Sequence, residues 1–218
     1  MAEAFVLESV EPGESLSWAS RLLSGEPQDA FAPSEAADFA VLKTDKRRRD
    51  WTGGRLAAKR AASKAIGNLP LGSILIENEP GGAPRMSAPG AQLPLSITHT
   101  DAGAACAVSM SGGPIGIDWE MVRPLDAGTL SLAFHEDELP WAMNASPRDL
   151  ARAWTAKEAV IKLLKSDLSS LREVRLSGPD STPRLHGAAA LKWEELGRPA
   201  LTVFHAHHPD SVLCVAHG

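Results

Sequence analysis

"RAWTAKEAVIKLL" (Arg152–Leu164) reads as an amphipathic helix, because the Ala, Leu, Lys and Glu that dominate it are all good helix formers. Ala153, Trp154, Val160, Ile161 and Leu164 form its apolar stripe. Trp154, Glu158 and Lys162 recur at i, i+4 and i+8 along one edge, which puts a carboxylate and an ammonium at the border of the buried face. A carboxylate in that place needs a partner. A Glu158–Lys162 pair would supply one, worth about 0.3–0.5 kcal/mol, but it would serve as well on the exposed face.

The helix has an echo. "KRAASK" (Lys59–Lys64) and "KEAVIK" (Lys157–Lys162) share the pattern K-x-A-x-x-K, 98 residues apart. "APRM" (Ala83–Met86) answers "TPRL" (Thr182–Leu185) at 99, "LSITH" (Leu95–His99) answers "LTVFH" (Leu201–His205) at 106, and "CAV" (Cys106–Val108) answers "CVA" (Cys214–Ala216) at 108. Matches in one order, with slowly drifting offsets, point to an internal duplication. Each half opens with a helix, about 47–66 and 148–165. Strands are expected at 73–77, 93–99 and 103–110 in the first half, and at 173–177, 190–195, 199–206 and 211–217 in the second. Gly and Pro clusters such as "EPGGAP" and "SGPDSTP" supply the turns. The expected fold class is α+β, a pseudodimer whose halves each pack a long helix on a small, mostly antiparallel sheet. The boundary falls near "SGGP" (Ser111–Pro114), giving halves 1–112 and 113–218. Clefts between such halves are favoured ligand sites.

The composition is that of a soluble globular protein: 218 residues, 44% apolar and 22% charged, with net charge −5. That charge gives no global reason to expect nucleic acid, although basic residues cluster between Lys43 and Arg60. The two cysteines, Cys106 and Cys214, lie in strand-like apolar runs and read as small buried hydrophobes. The start "MAEAFVLESVEPGES" has no basic region followed by an apolar one, and no run approaches the roughly 20 apolar residues of a bilayer span. A cytoplasmic protein without a membrane partner is expected.

"PIGIDWEMV" (Pro114–Val122) is an apolar strand carrying Asp118 and Glu120. At i and i+2 both carboxylates point to one side, where they repel unless a cation sits between them. Oxygen ligands of this kind suit Mg²⁺, which takes one or two carboxylates and fills its shell with waters and phosphate oxygens. The alternative is an exposed strand face with two solvated acids. Glu158 favours the cation, since a metal shared with Asp118 and Glu120 would give that helix-edge carboxylate its partner.

"GIDWE" (Gly116–Glu120), followed after 33 intervening residues by "WTAKEAVIK" (Trp154–Lys162), resembles the signature of the 4′-phosphopantetheinyl transferases. "LSITHT" (Leu95–Thr100) is similar to the family's S-x-S/T-H element, and "RRRDWTGGR" (Arg47–Arg55) to its N-terminal R-R-x-x-F/W…R element. The four motifs span residues 47–162, and the length and duplication resemble the surfactin-synthetase-type branch, a single-chain pseudodimer. The resemblance implies transfer of 4′-phosphopantetheine from coenzyme A to a serine of an apo acyl or peptidyl carrier protein, with release of 3′,5′-ADP, by a monomer. It implies Mg²⁺ held by Asp118, Glu120 and Glu158, with Asp118 also among the residues facing the coenzyme. Glu158, directly or through a water, takes the serine proton; Lys162 stabilises the leaving phosphate and Lys157 adds positive potential, both lysines contacting coenzyme A. Arg47, Arg55, Thr98 and His99 match positions that hold the coenzyme's phosphates. The family often carries a Lys beside its G-x-P turn; here "PGGAPRM" (Pro80–Met86) has none, and Arg85 is the candidate substitute. The competing readings are a non-catalytic coenzyme A or carrier-binding module of the same fold, and another Mg²⁺-dependent nucleotide phosphotransferase. No G-x-x-x-x-G-K-[ST] loop supports the latter.

Overall fold

The computed structural model describes residues 4–26, 29–166 and 168–218. The chain divides into two compact units, residues 1–113 and 114–218, each with its own hydrophobic core.

The first unit runs β1 (Phe5–Val10), α1 (Pro12–Leu23), α2 (Pro33–Ala40), α3 (Asp45–Ala65), β2 (Leu75–Asn78), β3 (Pro84–Ser87), β4 (Leu95–Thr100) and β5 (Gly103–Ser109). Its main sheet has the order β1-β5-β4, antiparallel throughout, and β2 and β3 form a separate hairpin. The long helix α3 is capped where Thr44 Oγ1 accepts the Arg47 N–H, starts at Asp45, two residues before the expected start, and lies on all three strands. Two adjacent glycines inside a helix cost about 0.5–1 kcal/mol each relative to Ala, and here close packing explains them. A Cβ on Gly53 would come within 3.0 Å of Ala104 Cβ, and one on Gly54 within 3.0 Å of Ile97 Cγ2.

The second unit runs β6 (Ile115–Met121), α4 (Ala127–Ala133), α5 (Leu139–Ala142), α6 (Pro147–Leu163), β7 (Val174–Arg175), β8 (Arg184–Leu185), α7 (Gly187–Glu195), β9 (Thr202–His207) and β10 (Ser211–His217). The sheet order β6-β10-β9 repeats that of the first unit, again antiparallel, with α6 across β6 and β10. Ser146 caps α6 by accepting the Asp149 N–H, and Pro147 follows at the first helical position, where its missing N–H costs nothing. In this unit the glycine that allows close approach sits on the strand: a Cβ on Gly116 would be driven into the Ala159 carbonyl oxygen.

The α+β fold and the doubled architecture agree with the sequence reading. Cys106 and Cys214 are free, buried and at equivalent points of the central strands, β5 and β10, and burial pushes both thiols up from their ordinary range. One element departs from expectation: residues 190–195 belong to helix α7, not to a strand. "AAALKWEE" is a run of helix formers, and Glu173 accepts the Ala189 N–H in its first turn. The strand read at 173–177 shrinks to the two residues of β7. Strands β1, β3 and β8 and the short helices α1, α2, α4 and α5 have no counterpart in the sequence reading. No described helix is long and apolar enough to cross a membrane.

Candidate functional site

The second unit brings Asp118, Glu120, Glu158 and Lys162 together. β6 places Gly116, Asp118 and Glu120 on one face, and the bare Gly116 lets α6 settle against that face. Lys162 Nζ then lies 2.6 Å from Asp118 Oδ1, with Asp118 almost wholly buried. Trp119, on the opposite face, is buried with its indole N–H donating to Ser211 Oγ at 2.9 Å.

Electrostatics tie the cluster together. Burial, then Asp118, pushes the Glu158 carboxyl from 4.5 up to about 7; Glu120 adds to the rise, and Lys162 and a hydrogen bond from Trp154 oppose it. Glu120 is raised by burial and by Asp118, against the pull of Arg123 and Lys162. Three acids thus share two cations in a partly desolvated place, and this surplus of negative charge works with burial to favour the protonated form of Glu158. Arg123, three residues beyond Glu120, is a member that the sequence reading missed. A small cavity of about 40 Å³ adjoins the cluster, lined by Glu120, Met121, Arg123, Leu125, Thr129 and Trp154 among others.

The first unit supplies an internal control. In the common register, Glu8 stands opposite Cys106 as Asp118 stands opposite Cys214, and Val10 opposite Ala104 as Glu120 opposite Val212. On the helix, Arg60 and Lys64 occupy the places of Glu158 and Lys162. Lys64 pairs with Glu8 and Arg60 with Glu14, so this copy is neutral, two acids to two bases. The surplus of acid belongs to the second unit alone.

Lys157, expected to contact coenzyme A beside Glu158, does not face the cluster. Adjacent helical residues point about 100° apart, and Lys157 points inward, fully buried and 2.7 Å from Glu138 Oε2. The residues expected at coenzyme phosphates lie on α3, the β2–β3 hairpin and β4 of the first unit. Arg47 is exposed in the first turn of α3. Arg55 is 7% exposed, stacked 5.2 Å from the Trp51 ring centroid, with Nη2 donating to Asn78 Oδ1 at 3.1 Å. Its buried Nε has no hydrogen-bond partner among the described residues, and burial lowers its pKa. Arg85 is paired with Glu77 across the β2–β3 hairpin at 2.9 Å. Thr98 and His99 alternate on β4: Thr98 is buried, while the half-exposed His99 lies 3.7 Å from Asp50.

Oxygen donors on β6 and α6 are the residues that could hold a metal. Among the described residues no group of three His, Cys, Asp or Glu side chains closes on an ion as they stand. The chemistry still fits a hard divalent cation: the donors are carboxylates, they repel one another, and Mg²⁺ needs only one or two of them at contact distance.

Residues 114–216 match the family model of the 4′-phosphopantetheinyl transferase superfamily. The 4′-phosphopantetheinyl transferase gsp of Aneurinibacillus migulanus is 31% identical over 101 residues, covering 44% of this chain. The chain spans 40% of the length of that relative. Solved structures similar to this chain include the Helicobacter pylori holo-[acyl-carrier-protein] synthase in complex with coenzyme A, at 21% identity and a TM-score of 0.41, covering 48% of this chain and 97% of that one. The Bacillus anthracis holo-(acyl-carrier-protein) synthase is similar at 24% identity and a TM-score of 0.40, covering 48% and 92%. The family match falls on the second unit, the one that carries the acidic cluster.

Proposed function

We propose that the protein transfers 4′-phosphopantetheine from coenzyme A to a serine of an apo acyl or peptidyl carrier protein, releasing 3′,5′-ADP, as a single-chain member of the surfactin-synthetase-type branch. The observation that carries this reading is the uncompensated acid of the second unit, set beside its neutral copy in the first. One copy neutralised with Arg60 and the other left acidic is the contrast that a second copy kept for a cation would leave.

Asp118, Glu120 and Glu158 would hold Mg²⁺, which when bound neutralises pyrophosphate charge and aligns the group for displacement. Glu158 would accept the serine proton, directly or through a water, as the serine oxygen attacks the phosphorus bearing the pantetheine. The bond from that phosphorus to the bridging oxygen of 3′,5′-ADP breaks, and Lys162 faces the charge gathering there. Mass spectrometry of an apo carrier panel incubated with coenzyme A and Mg²⁺ tests the reading. One carrier gaining a single phosphopantetheine is the expected result; no gain in any carrier, and no 3′,5′-ADP, would leave only a binding module.

Two substitutions separate chemistry from binding. Lys162→Met removes the charge but keeps most of the stem. Its kcat should fall by about 10²-fold, the scale of losing one such stabilising group. A variant that keeps its kcat but melts early would make Lys162 structural. Arg55→Ala should instead raise the KM for coenzyme A about tenfold with little change in kcat, because a phosphate anchor remote from the breaking bond serves ground and transition states alike. The stranded guanidinium Nε motivates that assignment. An unchanged KM in a folded Arg55→Ala protein would leave Arg55 as a packing residue over Trp51.

A further inference from the structure

Lys157 is engaged on every side. Its Nζ donates to Glu138 Oε2 at 2.7 Å, to Leu171 O at 3.3 Å and to Val174 O at 2.5 Å. An ammonium has three N–H bonds, so none is left for a phosphate. Glu138 is as fully used: Oε2 also accepts the His135 N–H and Oε1 the Leu176 N–H, both backbone.

The first unit contains the same device. Lys59, 98 residues earlier, is buried 2.6 Å from Glu35 Oε2 and donates to Leu71 O at 3.2 Å and to Ile74 O. Glu35 accepts the Ala32 N–H at 2.9 Å and the Ile76 N–H at 3.3 Å. Both lysines lie near an aromatic face, Lys59 5.7 Å from the Phe31 centroid and Lys157 4.9 Å from that of Phe134. Yet the helix edge beside Lys59 carries Arg60 and a neutral copy of the cluster. The clamp is therefore present in a half without the acidic site, and its primary task cannot be chemistry at that site.

We infer that Lys157 is a positioning residue, which fixes the rotation of α6 and so holds Glu158 and Lys162 toward β6 without touching substrate. Two apolar residues in its place would let the helix roll. A directional clamp to one carboxylate and two carbonyls admits one rotation, and the neighbouring Glu158 is then carried to the edge. Registry of this kind is the best-attested use of a buried ion pair. The inference rests on the transferase reading for the meaning of "site", but not for its test.

Lys157→Met, Lys59→Met and the double variant Lys157→Met/Glu138→Gln, in the full chain, decide it through melting temperature in chelator, Mn²⁺ binding followed by electron paramagnetic resonance, and transfer kinetics. Both single variants should lose comparable stability, since each strands a buried carboxylate. At a temperature where all are folded, Lys157→Met should bind Mn²⁺ at least tenfold more weakly and lose kcat, while Lys59→Met keeps wild-type Mn²⁺ affinity. The double variant, free of the stranded charge but also of the clamp, should regain stability while its Mn²⁺ affinity and kcat stay low together; recovery of both would show that only the stranded charge mattered and would overturn the positioning role. Wild-type Mn²⁺ affinity and kcat in Lys157→Met would make the clamp merely structural. A double variant with restored stability and Mn²⁺ binding but a kcat still 10²-fold down would put Lys157 in the chemistry. If the wild type modifies no carrier, the transferase reading fails by itself, and the Mn²⁺ comparison still decides the positioning role.

Discussion

Gly116→Ala should unfold or grossly destabilise the second unit. The added Cβ would be driven into the Ala159 carbonyl oxygen and lie 2.5 Å from the Leu163 nitrogen. Overpacking usually costs about 1–3 kcal/mol because side chains can shift. Here both obstacles are backbone atoms of α6, so relief requires moving the helix off the strand. That breaks the densest packing of the unit and parts Lys162 from Asp118. A cost of about 4 kcal/mol or more is expected, which for a unit of about 100 residues lowers the melting temperature by roughly 15 °C or more. Gly13→Ala is the control. Nothing lies within 4 Å of its Cβ position in α1, and Ala there should be neutral or stabilise by up to about 1 kcal/mol. Thermal unfolding of the two variants checks both, and equal melting temperatures would mean that β6 and α6 are not held this close.

The "G" of "GIDWE" therefore has a packing meaning that spacing alone does not reveal. What was legible follows from periodicity. The long helices announce themselves through apolar stripes, and "SVLCVAH" matches β10 residue for residue. β1 escaped because "FVLESV" places Glu8 on the face toward α3, breaking the apolar alternation; only the Lys64 partner makes that tolerable. In "ALKWEE" a Trp between charged residues imitates a strand's alternation, whereas the preceding alanines decide for a helix. Asp118, Glu120, Glu158 and Lys162 could be grouped from spacing, since i, i+2 on a strand and i, i+4 on a helix fix faces. Lys157 cannot be separated from Glu158 that way, because its role depends on Glu138, which lies in the turn before the four-residue helix α5 and has no periodic signature. The duplication carried the missing signal: Lys59 sits beside Arg60, so a lysine at that position does not require an acidic neighbour.

Glu158→Gln should abolish transfer and, without metal, make the protein more stable at alkaline pH. As a base its carboxylate is worth about 10²–10⁴-fold, and as a cation ligand it adds to that, so a loss of at least about 10³-fold is expected in the carrier assay. The stability effect has the opposite sign. Folding raises the Glu158 pKa from 4.5 to about 7, so between those values the native protein holds a proton that the unfolded chain has released. Native stability therefore falls as pH rises through that window and stays low above it. Gln has no proton to lose and leaves Asp118 and Glu120 one negative neighbour fewer. Urea unfolding in chelator should give similar midpoints for wild type and variant at pH 4.5, and a higher midpoint for the variant at pH 8. Excess Mg²⁺ at pH 8 should then raise the wild-type midpoint and barely move that of the variant, since the ion stabilises only the form that binds it. Equal gains from Mg²⁺ would show that the ion does not depend on Glu158, and a variant no more stable than wild type in chelator at pH 8 would show that the three carboxylates do not strain one another. If both results come out as expected, the cluster is an arrangement that costs the fold stability when empty of cations, as a site kept for binding one should.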